Sequence, residues 1–180
     1  MTLDVSNPFD GSLVCSLDHD SDSDVQYKLQ AAYQSQRIWR QLSIEKRISI
    51  VEQGLSNFRN RAQEIATEVS LQMGKPISEA RNEIGTVFDR AHYMISIARE
   101  SLAAEVLPEK DGFHRRIEHQ PLGVVLNLAA WNYPLIIPIN VVVPALVAGN
   151  TVLIKHSART PLSGKAYEQA FDNLEIPGLV

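Results

Sequence analysis

The sequence predicts an α/β protein: a helical N-terminal region followed by the first βαβ(α) part of an incomplete doubly wound parallel sheet. Three observations carry this. Apolar residues recur at helical spacing over residues 1–105. After Pro108 the pattern changes, and Gly123-Val124-Val125-Leu126-Asn127-Leu128-Ala129-Ala130 forms a nearly continuous apolar run, as in a strand buried on both faces of a parallel sheet. An apolar helix over 134–147 and a β-branched second strand, Thr151-Val152-Leu153-Ile154, complete a βαβ unit over 123–155.

The elements follow in order from local signals. Residues 3–17 read as a hairpin, with Asn7-Pro8 and Asp10-Gly11 as turns. Ser21 and Asp24 have capping-box spacing, and a helix should run from there to about Arg40. Ser43 caps the next, whose stripe is Ile44, Ile48, Val51, Leu55 and Phe58. A third carries Ile65, Val69 and Met73 and stops at Gly74 and Pro76. A fourth, with the stripe Ile84, Phe88, Ala91, Ile95, Ala98 and Leu102, reaches about Ala104. Trp39, Phe58, Phe88 and Met94 fit core positions.

Asp111-Gly112 marks a loop, and 115–119 reads as a short strand. Pro138 should kink the crossover helix or remove one of its hydrogen bonds. Thr160-Pro161 opens a last helix, Thr as cap and Pro at the first position, reaching about Leu174. Leu179-Val180 read as the start of a third strand. The implied organisation is a hairpin and helical region over 1–105, a connecting segment over 106–120, and the first part of a nucleotide-binding domain over 121–180.

Composition narrows the function classes. With 44% apolar and 21% charged residues, the chain has the mix of a soluble globular protein. A net charge of −4 with scattered Lys and Arg gives no nucleic-acid footprint. The apolar stretch over 134–149 is too short for a membrane span. The start, Met1-Thr2-Leu3-Asp4-Val5, shows no signal peptide, so a cytoplasmic setting is expected. A single cysteine, Cys15, excludes an internal disulfide and a multi-thiolate zinc site, and reads as a small hydrophobe or an idle thiol. His114 and His119 fall on opposite faces of the short strand, so no metal is expected there.

In open parallel sheets, ligands bind beyond the carboxyl ends of the strands. The first strand leads into Trp131-Asn132-Tyr133-Pro134 and the second into Lys155-His156-Ser157, so both polar clusters emerge on one edge. An amide, a fixed lysine and a helix N-terminus converging there could hold a polar, anionic ligand. Residue by residue, blander readings stand beside this one. Asn132 could cap the crossover helix, Lys155 could be a solvated strand-end lysine, and His156 reads as a loop residue rather than a base. No Gly-x-Gly-x-x-Gly is present.

Five blocks at consistent spacing resemble the aldehyde dehydrogenase superfamily: Pro121-Leu122-Gly123-Val124-Val125, Trp131-Asn132-Tyr133-Pro134-Leu135, Pro144-Ala145-Leu146-Val147-Ala148-Gly149-Asn150-Thr151-Val152, Lys155, and Thr160-Pro161-Leu162. Trp39, Arg47, Met73-Gly74-Lys75-Pro76 and Glu79-Ala80 are similar to the family as well. The resemblance covers the whole chain but less than half of a typical subunit. It implies oxidation of an aldehyde to a carboxylic acid with NAD or NADP. It implies Asn132 as an oxyanion-stabilising amide, Lys155 and Ser157 as cofactor contacts, Ala129, Ala130 and Trp131 as positions flanking the cofactor, and Tyr133 as part of the substrate tunnel. The family's catalytic cysteine and glutamate lie beyond these residues. The chain is therefore expected to be inactive alone, and its partners to be an aldehyde and a homo-oligomeric or complementing chain.

Two departures from the pattern bear on the cofactor. Ala130 stands where Pro is usual, and Lys155-His156-Ser157-Ala158 replaces Lys-Pro-Ser-Glu. Losing that glutamate removes a ribose anchor and also a group that would repel a 2′-phosphate, which favours tolerance of NADP. A non-catalytic module pairing with a dehydrogenase chain, or a partial cofactor-binding domain, remains the alternative.

Overall fold

The computed structural model describes residues 2–172 and 174–180. Met1, and Asn173 over which the sequence extends the last helix, lie outside the described residues. The chain opens with an antiparallel hairpin, β1 Thr2–Ser6 and β2 Leu13–Asp18, with an irregularity between Val5 and Ser6. Four helices follow: α1 Asp22–Trp39, α2 Ile44–Asn60, α3 Ala62–Met73 and α4 Ile77–Ser101. The predicted starts and stops hold. Ser21 forms a full capping box with Asp24, Ser43 accepts from the Lys46 amide, and Gly74 ends α3 in the left-handed region at φ 73°.

The connecting segment differs from expectation. The predicted strand shrinks to β4 Arg116–Ile117, which pairs antiparallel with β3 Glu105–Val106, a strand the sequence did not reveal. Both are exposed two-residue pieces. With so few side chains packed, they leave almost no hydrophobic pattern to read.

The βαβ unit comprises β5 Val124–Leu128, α5 Ile136–Val147 and β6 Thr151–Lys155. β5 and β6 are parallel, in register from Val124↔Thr151 to Leu128↔Lys155. α6 Pro161–Phe171 follows, ending earlier than expected. The predicted third strand is present only as a contact: the Val152 amide donates to the Leu179 carbonyl at 2.9 Å, on the side of β6 away from β5. Val125 and Asn127 share the sheet face that meets the core with Val152 and Ile154. On the opposite face Leu126 is 63% and Leu128 70% exposed, so β5 is not buried on both faces as its sequence predicts.

α5 is apolar almost all round, with Ile139, Val142, Val143, Leu146 and Val147 buried. Burying such side chains stabilises by about 1.5–3 kcal/mol each. Pro138 costs it no internal hydrogen bond. It sits in the first turn, where its missing N–H would have no partner within the helix, and Pro144 is the interior proline. The helix has no polar residue of its own at either end, so other elements satisfy its termini. At the C-terminal end the Trp39 indole donates to the Leu146 carbonyl at 2.7 Å and the Arg47 Nε to the Val147 carbonyl at 2.9 Å. Both donors suit the negative end of the helix dipole. One hydrophobic cluster then runs from Trp39 through α2, α3 and α4 into α5, β6 and α6.

Gly54 on α2 lies against α6 so closely that a Cβ would meet the Phe171 ring at 2.5 Å. Glycine in a helix interior ordinarily costs about 1 kcal/mol against alanine. Here Phe171 is only 2% exposed and has nowhere to go. Gly54→Ala should therefore destabilise the chain by about 1–3 kcal/mol, with overpacking outweighing propensity. Urea denaturation would read this, and a stabilised variant would contradict the packing described.

Candidate functional site

The parallel register brings the two strand tips together. Beyond the last ladder pair the Ala129 amide donates to the Lys155 carbonyl at 3.1 Å, and each strand then turns into its polar cluster. Ala129 is buried; Ala130, Trp131, Asn132, Tyr133 and Lys155 are exposed, and Ser157 is half-buried. The clusters touch across the edge, where the Arg159 guanidinium lies 4.8 Å from the centre of the Trp131 ring. The Ser157 hydroxyl accepts from the Arg159 amide at 3.2 Å and so braces its own turn. A cleft of about 300 Å³ opens beside these groups, between the hairpin at Val5, the end of α3 at Gln72 and Met73, and Trp131, Ala158 and Arg159.

Asn132 does not cap the crossover helix: its N-cap position is Leu135, with no local side-chain cap. The exposed Asn132 amide makes no hydrogen bond to another described residue, so it is free to serve a ligand. The cap comes instead from α4. Glu83 Oε1 accepts from the Leu135 amide at 2.8 Å and the Ile136 amide at 3.2 Å. The α5 N-terminus is thus already occupied by a carboxylate, which corrects its expected role as an open anion site. Glu83 is in turn paired with Lys75, Nζ to Oε2 at 2.5 Å, with side chains 1% and 11% exposed. The same ammonium donates to the Asn132 carbonyl at 3.2 Å and stands 4.3 Å from the Tyr133 ring centre. The Tyr167 hydroxyl donates to the Leu135 carbonyl at 2.5 Å. Burial, with Glu83 nearby, holds that phenol protonated well above its ordinary range.

α6 repeats the arrangement. Thr160 is in the cap position, but its buried hydroxyl makes no hydrogen bond to a described residue. The expected threonine cap is replaced by Gln72 of α3, whose Oε1 accepts from the Leu162 amide at 2.9 Å.

Sequence reading missed Glu83, Lys75 and Gln72 as organisers of the edge. One signal was available: Glu83 interrupts the buried stripe Ala80, Ile84, Val87 and Ala91 at helical spacing. A carboxylate in such a stripe needs a partner.

Cys15 sits in β2 opposite Val5, and burial pushes its thiol above the ordinary value, as expected of an idle thiol. Among the described residues no group of three or more His, Cys, Asp or Glu could hold a metal, and no helix is long and apolar enough to cross a membrane.

His156 lies in the loop after β6, as read from the sequence, but half-buried. Its ring nitrogens are buried without a described partner, and burial, with the Lys155 ammonium adjacent, lowers its pKa from 6.5 to about 4. Above 6.5 the imidazole is neutral folded or unfolded and adds no pH dependence. As pH falls below that value the unfolded chain takes up a proton first, so stability drops until the folded state also protonates. Stability should fall by roughly 1–2 kcal/mol between about pH 7 and pH 5 through this group. His156→Gln should flatten that part of the pH–stability curve; an unchanged slope would show that His156 is not its source.

The sequence profile described as "Aldehyde dehydrogenase family" matches residues 1–180. A succinate-semialdehyde dehydrogenase [NADP(+)] of Deinococcus radiodurans is 32% identical over 171 residues, covering 95% of this chain and 36% of that protein. Among solved structures, PnpE in complex with nicotinamide adenine dinucleotide is 30% identical with a TM-score of 0.91, over 100% of this chain and 37% of that one. The NADP-dependent glyceraldehyde-3-phosphate dehydrogenase of Bacillus halodurans C-125, complexed with NADP, is 27% identical with a TM-score of 0.87, over 99% and 39%. This chain thus spans well under half the length of each relative. With the profile matched from end to end and the fold shared over the whole chain with a solved relative at 30% identity, the chain belongs to the aldehyde dehydrogenase family.

Proposed function

We propose that this chain supplies the oxyanion donor and one wall of the dinucleotide site of an enzyme that oxidises an aldehyde to a carboxylic acid. The observation that carries this is the in-register β5–β6 pair, which places the exposed Asn132 amide and the Lys155 ammonium on one edge of the sheet in a member of this family. In acyl chemistry negative charge develops on the carbonyl oxygen, and a preoriented N–H donor stabilises it. Asn132 offers a neutral side-chain N–H donor on this edge that is committed to no other described residue. Tyr133 is exposed beside it and forms part of the aldehyde's approach.

The donor set fits an anionic dinucleotide. Lys155 offers an exposed ammonium; Trp131 and Ala130 present an exposed apolar and aromatic wall; Ser157 and Arg159 line the turn beyond. NAD or NADP, when bound, accepts the hydride. Because Glu83 and Gln72 already take amides of the α5 and α6 N-termini, phosphate charge falls to Lys155 and Arg159 rather than to those helix ends. Cys15, protonated and in the hairpin, is not the nucleophile. The nucleophile and the water-activating carboxylate come from residues outside these 180, and the 180 alone turn over no aldehyde. Residues 121–180 form the first part of the nucleotide-binding domain in this reading. It also includes a cytoplasmic setting and association with a further copy or a complementing chain, supported by the exposed apolar face at Leu126 and Leu128.

The test is aldehyde-dependent NAD(P)H formation by the full-length protein that carries this segment. Asn132→Ala should lower kcat by about 10²- to 10³-fold; retention of full activity would refute the reading. Ala158 stands exposed beside Arg159 and leaves room for a 2′-phosphate. Ala158→Glu should move the preference from NADP toward NAD by about tenfold or more, since like charges at close range cost several kcal/mol. An unchanged NADP-to-NAD ratio of kcat/KM would remove this position from cofactor selection.

A further inference from the structure

The loop that carries Asn132 is exposed at three successive residues, Trp131, Asn132 and Tyr133, and belongs to no strand or helix. Left to itself such a loop samples many conformations, and an oxyanion donor must be held in one. We propose that Lys75 and Glu83 are positioning residues for Asn132, a role that rests on the oxyanion reading above. The geometry pins the backbone of the amide-bearing residue itself and of the residues that lead from it into α5. Lys75 Nζ takes the Asn132 carbonyl, and Glu83 Oε1 takes the Leu135 and Ile136 amides that follow. The two anchors are joined by their own ion pair, so neither moves without the other. Lys75 is itself fixed by the turn that delivers it: Gly74 adopts φ 73°, and the Ser70 hydroxyl donates to the Lys75 carbonyl at 2.7 Å. The ammonium over the Tyr133 ring closes the third side.

A purely structural role explains this arrangement poorly. Removing two charges from water is costly, and a buried pair commonly stabilises no better than an apolar pair of similar volume. What a charged pair adds is direction, and here it is directed at the backbone of the one residue assigned an oxyanion role. Glu83 touches no exposed surface and Lys75 little, so neither meets substrate.

The experiment is steady-state kinetics on the full-length protein carrying this segment, in a double-mutant cycle of Lys75→Met and Asn132→Ala. Lys75→Met should lower kcat by about tenfold or more, leave the KM for NAD(P) within about twofold, and cost nothing further once Asn132 is alanine, as for residues acting as one unit. Losses that multiply, or a Lys75→Met protein with full kcat, would overturn the proposal while leaving the oxyanion reading intact. If Asn132→Ala itself keeps full kcat, the oxyanion reading falls and the positioning role falls with it. Thermal melting reports whether each variant folds. Should Lys75→Met fail to fold, Lys75→Arg, which keeps a cation beside Glu83 but changes the reach to the Asn132 carbonyl, takes its place in the same cycle with the same deciding outcomes.

Discussion

The rest of the structure depends on how an uncharged, almost wholly apolar crossover helix is held at its two ends. α5 carries no charged residue, yet its first amides and last carbonyls must find partners in a dry core. Glu83 meets the amides and Trp39 and Arg47 meet the carbonyls. Each charge has the sign the helix dipole favours. All three come from the helical region, so the βαβ unit and the helices before it form one hydrophobic body. Aligning α5 in this way also sets where the strand before it ends and where the strand after it begins.

That constraint reaches the candidate site directly. The residues between β5 and α5 include the Trp131-Asn132-Tyr133 loop, and the α5 cap is joined to it by two contacts, the Glu83–Lys75 ion pair and the Lys75 hydrogen bond to the Asn132 carbonyl. At the neighbouring tip Gln72 does the same for α6. The helical region therefore covers more than the sheet's back. It supplies the side chains that occupy the helix N-termini and shape the edge on which ligands bind in open parallel sheets. The positive charge on this edge is therefore that of the exposed Lys155 and Arg159, beside the neutral Asn132 amide, rather than that of open helix N-termini.

The uncovered face of β5 belongs to the same picture. Leu126 and Leu128 point away from the core, while Val125 and Asn127 on the alternate face meet it. Parallel sheets are ordinarily covered on both faces, so this exposed apolar face is the exception in the chain's packing. Relatives that match 95% or more of this chain are more than twice its length.

What the sequence by itself determined was local. Ser21 with Asp24, Ser43, and Gly74 with Pro76 fixed where helices start and stop, because caps and left-handed turns are decided by neighbours along the chain. The β5–α5–β6 unit was legible from apolar runs and their lengths, and Asn132 and Lys155 were placed on one edge by the parallel-strand rule alone. Tertiary structure decided what sequence neighbours could not. Thr160 looks like a cap and is replaced by Gln72; Asn132 looks like a cap and is replaced by Glu83; β5 looks buried on both faces and is not. In each case the partner, or the missing cover, is many residues distant, and even where a residue such as Glu83 stands out in its stripe, the sequence does not say which distant groups it meets.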